Sequence, residues 1–147
     1  MRNDIPNMVQ ALFQMQAANL EEVNNIFPRA VGEAVEREFV KNIESESFND
    51  NPYPPLKMPR RDGSTDHILV DTGKGKQAVS TSAQPSIISE GSIKINFAIE
   101  DNVKYMYYHN TGTGNNPQRE FAGESPAITE AVNEEIEKSL NRINNSI

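Results

Sequence analysis

The chain has 147 residues, with 14 Lys and Arg against 21 Asp and Glu, a net charge of −7 and no Cys. That length suits one domain, which buries about two thirds of its unfolded surface and holds a core without covalent staples. The missing thiols exclude disulfides, thiolate nucleophiles and sulfur-ligated zinc, as suits a cytoplasmic protein, and the acidic balance argues against a general DNA or RNA binder.

No charged-then-apolar leader opens the sequence, and no apolar run approaches the roughly 18–20 residues that span a bilayer, so a soluble, unprocessed protein is expected. Met8, Val9, Leu12 and Phe13, then Leu20, Val23, Phe27, Val31, Ala34, Val35, Phe39 and Ile43, recur at steps of three and four. That spacing predicts amphipathic helix in two segments. Pro28 lacks an N–H, so it either opens a new helix at its first turn or kinks a continuous one. Glu33, Glu36, Arg37, Glu38 and Lys41 are expected on the wet face of that helix.

At Phe48 the periodicity stops. "FNDNPYPPLKMPRRDGSTD" carries four prolines among Asn, Asp and Gly, which predicts an extended, irregular connector over about residues 48–66. A loop that long in a small domain is usually functional, or disordered until something binds it. "HILVDTGKGKQAVSTSA" follows, with a short apolar run, a turn at Thr72-Gly73 and a brief helix over residues 76–79. In "SIKINFAIE", alternating apolar and mostly polar residues predict a strand with one wet face, paired through a turn at Glu90-Gly91 with a partner at residues 86–89. At the end, Ser125 is placed to cap, Pro126 suits a first helical position, and Ile128, Val132, Ile136, Leu140 and Ile143 form one stripe. Helices at both ends of a small antiparallel sheet with a central hairpin make a single α+β domain over residues 1–147.

Charge is uneven along this order. Residues 1–50 carry four basic and nine acidic side chains, residues 51–80 five and three, and residues 81–147 five and nine. The basic middle, with Lys57, Arg60, Arg61, Lys74 and Lys76, lacks interleaved aromatics and is expected to be a solvated stretch rather than a phosphate contact.

Tests for chemistry fail one by one. His67 and His109 have no second ligand at a spacing that one helix face would bring together, because Thr72 and Gly73 end any helix that would join His67 to Asp71. "TGKGK" and "TGTGN" satisfy neither the P-loop nor the dinucleotide pattern, and no nucleophile elbow occurs. No catalytic residue, cofactor or metal is therefore assigned. Tyr105, Tyr107, Tyr108, His109 and the loop to Phe121 are a different matter. Tyr105 with Tyr108 or His109 is expected inward and Tyr107 outward. Tyr and Arg dominate interface energies, so Tyr107 and Arg119 beside a Gly- and Pro-rich loop suggest a docking edge.

"YMYYHNTG" followed by "PQREFAGESPAI" and an amphipathic helix resembles the virion-morphogenesis, or tail-completion, family of tailed phages and prophages. Tyr105, His109, Gly112, Arg119, Phe121, Gly123 and Ser125 stand at matching positions, and Leu69, Thr72 and Gly73 match the family's Leu-x-x-Thr-Gly stretch. "YPPLK" sits where the family places an aromatic and a Pro-Leu pair, with Tyr53 in place of the more usual Trp. The likeness runs from about Phe39 to Leu140. Head-tail joining and tail-terminator families share the same size and layout, so the station in the virion stays open among these.

The resemblance implies a non-enzymatic subunit, made in the host cytoplasm and assembled in a ring of about six copies where capsid neck meets tail. Its implied partners are its own copies and neighbouring neck, tail-tube or connector proteins, with DNA only as passing cargo and no membrane. A ring repeats one heterologous contact and needs two different faces; Tyr107, His109, Arg119, Phe121, Arg60 and Arg61 are the candidate interface residues. Acidic helices facing the channel would repel DNA. Arg119→Ala is expected to weaken subunit or partner contacts without unfolding the monomer. The competing readings are a small binding or adaptor module using the Tyr105 to Phe121 region, and a hydrolase using His109 with Glu120 or Glu124.

Overall fold

In the computed structural model, which describes residues 5–64, 68–70, 72–89 and 92–145, the N-terminal third is a helical rod in three parts. Helix α1 (Ile5–Glu21) passes into a π-helical turn (Glu22–Ile26) and then into α2 (Phe27–Ser45). Pro28 stands in the first turn of α2, directly after the π turn, inside a helical run that continues unbroken from Ile5 to Ser45, so it sits within a continuous helix rather than starting a new one. A proline ring strikes the carbonyl four residues back, and the wider π turn, in which the Phe27 N–H reaches Glu22 O, relaxes that crowding.

Helix α2 ends at Glu46, in the left-handed region at φ 54. The chain then reverses through strands β1 (Ser47–Phe48) and β2 (Asn51–Pro52), with Asn49 and Asp50 both at positive φ. Two consecutive positive φ values make the tight turn that matches strand twist, and Asn and Asp tolerate them. The connector expected to be irregular from residue 48 thus begins as a hairpin.

Helix α3 (Lys74–Ser80) extends the brief helix expected over residues 76–79. Strands β3 (Ala83–Ser89) and β4 (Ser92–Phe97) pair antiparallel, with Ala83 opposite Phe97, Pro85 opposite Ile95 and a bulge between Ile87 and Ser89. The predicted hairpin is present but shifted: β3 starts three residues before Ser86, and β4 stops three residues before Glu100. A 3-10 turn at Asp101–Val103 then leads into α4 (Tyr105–Thr111) and, after a loop, α5 (Pro126–Asn145). His67, Asp71 and the Glu90-Gly91 turn lie outside the described residues.

The fold is α+β, with its core along α2. Val31, Val35, Phe39 and Ile43 bury one stripe of that helix, and Tyr53, Leu69, Val79, Met106 and Phe121 close over it. Along β4, Ile95 and Phe97 are half-buried against this core while Lys94 and Asn96 are exposed, the alternation expected of a sheet with one wet face. The rings of Phe39 and Phe97 lie 4.9 Å apart. The hairpin crosses α2 at Gly32, where an added Cβ would lie 3.1 Å from the Ala83 side chain, so the absence of a side chain sets the spacing.

Glu36 is not on the wet face. It is buried, and its carboxylate accepts the Ala83 N–H at 2.6 Å, tying the start of β3 to α2; burial raises its pKa. Helix α5 lies along α2 as well. Ser125 caps it by accepting the Ile128 N–H at 3.2 Å, and at its far end Arg142 grips the buried Glu22 through two nitrogens, the shorter bond being 2.6 Å.

The apolar stripes are covered only in part. Val9, Phe13, Leu20 and Val23, which share the spacing of the residues that follow them, are exposed, and so are Ile136 and Leu140 on α5. Among the described residues, helix α1 has its substantial packing against the π turn that continues it.

Candidate interaction site at the α4 to α5 loop

Helix α4 turns one side chain fully inward. Met106 is 0% exposed, whereas Tyr105, Tyr107 and Tyr108 all face outward to a large extent, Tyr107 at 53%. The expectation that Tyr105 points inward is therefore corrected. Met106 meets Gly75 of α3 at close range, and an unbranched thioether fits such a narrow gap without needing the hydrogen-bond partner that a buried phenol requires. The rings of Tyr107 and Tyr108 meet edge-on with centroids 6.0 Å apart, leaving an aromatic surface to solvent.

Gly112 ends α4 in the left-handed conformation, φ 69, with its N–H bonded to Tyr108 O at 2.9 Å. A Cβ there would lie 2.9 Å from the Gln118 side chain, so the position needs glycine both for its φ and for space. The chain then doubles back along α4. Arg119 N–H donates to His109 O at 2.7 Å. Asn110 does the rest: its Oδ1 accepts the N–H groups of Phe121 and Ala122, each at 2.9 Å, and its Nδ2 donates to Ala122 O at 3.1 Å.

Four further bonds join this returning segment to distant parts of the chain. Asn42 of α2 donates to Phe121 O at 2.9 Å, and the Tyr53 hydroxyl donates to Glu120 O at 2.8 Å. Arg119 reaches across in the opposite direction, with Nε on Pro54 O and Nη2 on Pro55 O, both at 2.9 Å. The "YPPLK" strap and the "PQREFAG" loop are thereby laced together. Burial, aided by Glu120 and Glu46, pushes the Tyr53 phenol pKa up, so this donor keeps its proton throughout the ordinary pH range.

Arg119 is 3% exposed, and its bonds go to carbonyls and to a ring nitrogen, His109 Nδ1, at 3.5 Å. A guanidinium only donates, so that contact is a hydrogen bond when His109 carries its proton on Nε2. Burial, and after it the charge of Arg119, hold His109 below the ordinary histidine range, while burial also lowers Arg119. The hydrolase reading requires a carboxylate on His109; the group bonded to its ring is a cation instead.

The residues singled out in the sequence therefore separate by environment. Arg119 and Phe121 are internal, which corrects the expectation of Arg119 on an exposed docking edge and of both among the interface residues. Their sequence signal, a lone Arg and a Phe in a polar loop, is the same for a lock as for an interface. Arg60 is half-buried, donating to Val70 O at 3.0 Å and Ile68 O at 3.1 Å. Arg61 and Tyr107 are exposed. Leu69 lies in the core and the left-handed Gly73 precedes α3. A cleft of about 430 Å³ brings Arg60, Leu69, Thr72 and Gly73 against Tyr105 and His109. Asn110 and Asn42, central to the geometry, were missed because a single Asn has no pattern around it.

Among the described residues, no group of three or more His, Asp or Glu is placed to hold a metal ion, and no helix is long and apolar enough to cross a membrane. No family model, curated protein or solved structure matches this chain.

Proposed function

We infer that this chain is a non-enzymatic structural subunit of a phage or prophage neck or tail, completing the tail or joining it to the head as part of a ring. One observation carries the reading. Three stretches that resemble the tail-completion family are far apart in sequence: the Tyr53-Pro54-Pro55 strap, Leu69 to Gly73, and Tyr105 to Ser125. They come together in one unit through Arg119, Tyr53 and the cleft at His109. A set of short motifs that interlock in space is harder to meet by coincidence than the same motifs scattered over a surface.

In this role the laced loop is a rigid support and the exposed face of α4, with Tyr105, Tyr107 and Tyr108, is one contact surface. Tyrosines on a firm helix lose little conformational freedom when a partner covers them. The partners are further copies of the chain and adjoining neck, tail-tube or connector proteins. Acidic side chains facing a channel would keep passing DNA from adhering.

Immunogold labelling of tailed particles from an induced culture of the host tests this. Label at the junction of head and tail is expected. Particles that carry none, while the protein is abundant in the same lysate, would overturn the proposal.

A further inference from the structure

We propose that α1 of one copy packs on α5 of the next, its Val9, Phe13 and Leu20 stripe covering Ile136 and Leu140. The inference rests on the self-association in the reading above and assigns the surfaces that make it.

On α1, Val9, Phe13 and Leu20 differ by steps of four and seven and fall within about 40° of one another around the axis. Phe13 is 67% and Leu20 54% exposed. The composition of the helix is as telling as its stripe. "IPNMVQALFQMQAANLE" holds a single charged residue, Glu21, although the chain as a whole is 24% charged. A helix that stays in water carries charges on its outer face, and one of this length is marginal when isolated. An interfacial lipid helix would present Lys or Arg on its polar face, and α1 has neither. Protein is the cover that this composition suits.

A second copy is the occupant for two reasons. The first is area. A compact monomer of this mass exposes roughly 7,500 Å², whereas this chain exposes 10316 Å². The surplus, roughly 2,800 Å², is of the size a subunit loses at permanent interfaces. The second is charge. Copies of a −7 chain carry an excess of like charge, and on α5 the exposed Glu137 stands one turn before Leu140; a helix with almost no charge can approach it without like-charge cost. Within one chain the two stripes are different surfaces, and Arg142 on Glu22 anchors α5 beside the root of α1. Joining one stripe to the other stripe of the next copy is a heterologous contact, which repeats around a ring.

The absence of native Cys makes the test clean. Full-length Phe13→Cys and Leu140→Cys chains are mixed and treated with a short bismaleimide. A cross-linked dimer is expected at least tenfold more abundant in the mixture than with either variant alone. Phe13→Glu, with an unchanged circular dichroism spectrum, is expected to weaken self-association at least tenfold by sedimentation equilibrium. Dimers formed equally by Phe13→Cys alone would overturn the pairing in favour of α1 against α1. A wild-type chain that stays monomeric at tens of micromolar, or that binds neutral vesicles without self-associating, would overturn it altogether. A rotor-detected oligomer with no mixed cross-link refutes this interface and leaves the neck assignment standing. Mixed cross-links with no gold label at the neck refute that assignment and leave the interface.

Discussion

Helices α1 and α2 share the same three-and-four spacing of apolar residues, and they end in opposite surroundings. Helix α2 sets its stripe against β4, the strap and α5, and carries Arg29, Glu33, Arg37, Lys41 and Glu44 for water or for ion pairs. Helix α1 has the stripe without the charges, and its stripe is bare. Periodicity thus reports that a helix has an apolar side; the residues on the other side report whether water was meant to be its main neighbour.

The largest effect that tests this contrast is in the core of α2. Phe39→Ala is expected to cost about 3–5 kcal/mol in denaturant unfolding, because it empties the space against Phe97. Phe13→Ala in dilute solution is expected to stay within about 0.5 kcal/mol of wild type. Equal losses from the two would show that α1 is covered within its own chain, and would break the comparison.

A smaller loss sharpens the boundary between covered and bare regions at the loop. Arg119→Ala is expected to cost about 2 kcal/mol, since it leaves Pro54 O and Pro55 O without their donor. The loss shows as a lower melting temperature of the single chain. An unchanged melt combined with weaker association would return Arg119 to the interface, where its sequence context suggested it belonged.

The smallest effect is pH-dependent. His109 has a folded pKa below its unfolded value near 6.5, so the unfolded chain takes up the proton first. Stability is full above about pH 7 and declines as pH falls through 6.5 toward the folded value, with the incoming charge set beside Arg119. His109→Gln is expected to flatten that part of the profile. Glu22 acts lower on the scale. Its pKa is depressed by the bond from Arg142, so its contribution is present above about 4.5 and lost as pH falls through the depressed value. A profile in which His109→Gln changes nothing between pH 7 and 5 would mean that the ring is solvated and not part of the lock.

Local chemistry made several elements legible. Ser125 and Pro126 signalled the start of α5 and alternation signalled β4, because caps and pleats act over a few neighbouring residues. The β1–β2 hairpin was equally local, written in Asn49-Asp50, yet the prolines around it drew attention to an irregular path. Pro28 allowed two outcomes, and the π turn before it selected one.

What the sequence by itself determined is the set of amphipathic helices, the one-sided strand and the start of α5; that the stripe of α1 stays uncovered was decided by the tertiary structure. Only the tertiary structure decided which acid goes inside, Glu36 on the β3 backbone, and which loop cation becomes a latch, Arg119 on two proline carbonyls. Those choices depend on partners 47 and about 65 residues away along the chain. No periodicity records such distances, and a charged side chain is held inside only where folding brings it groups to bind, here backbone N–H and carbonyl groups.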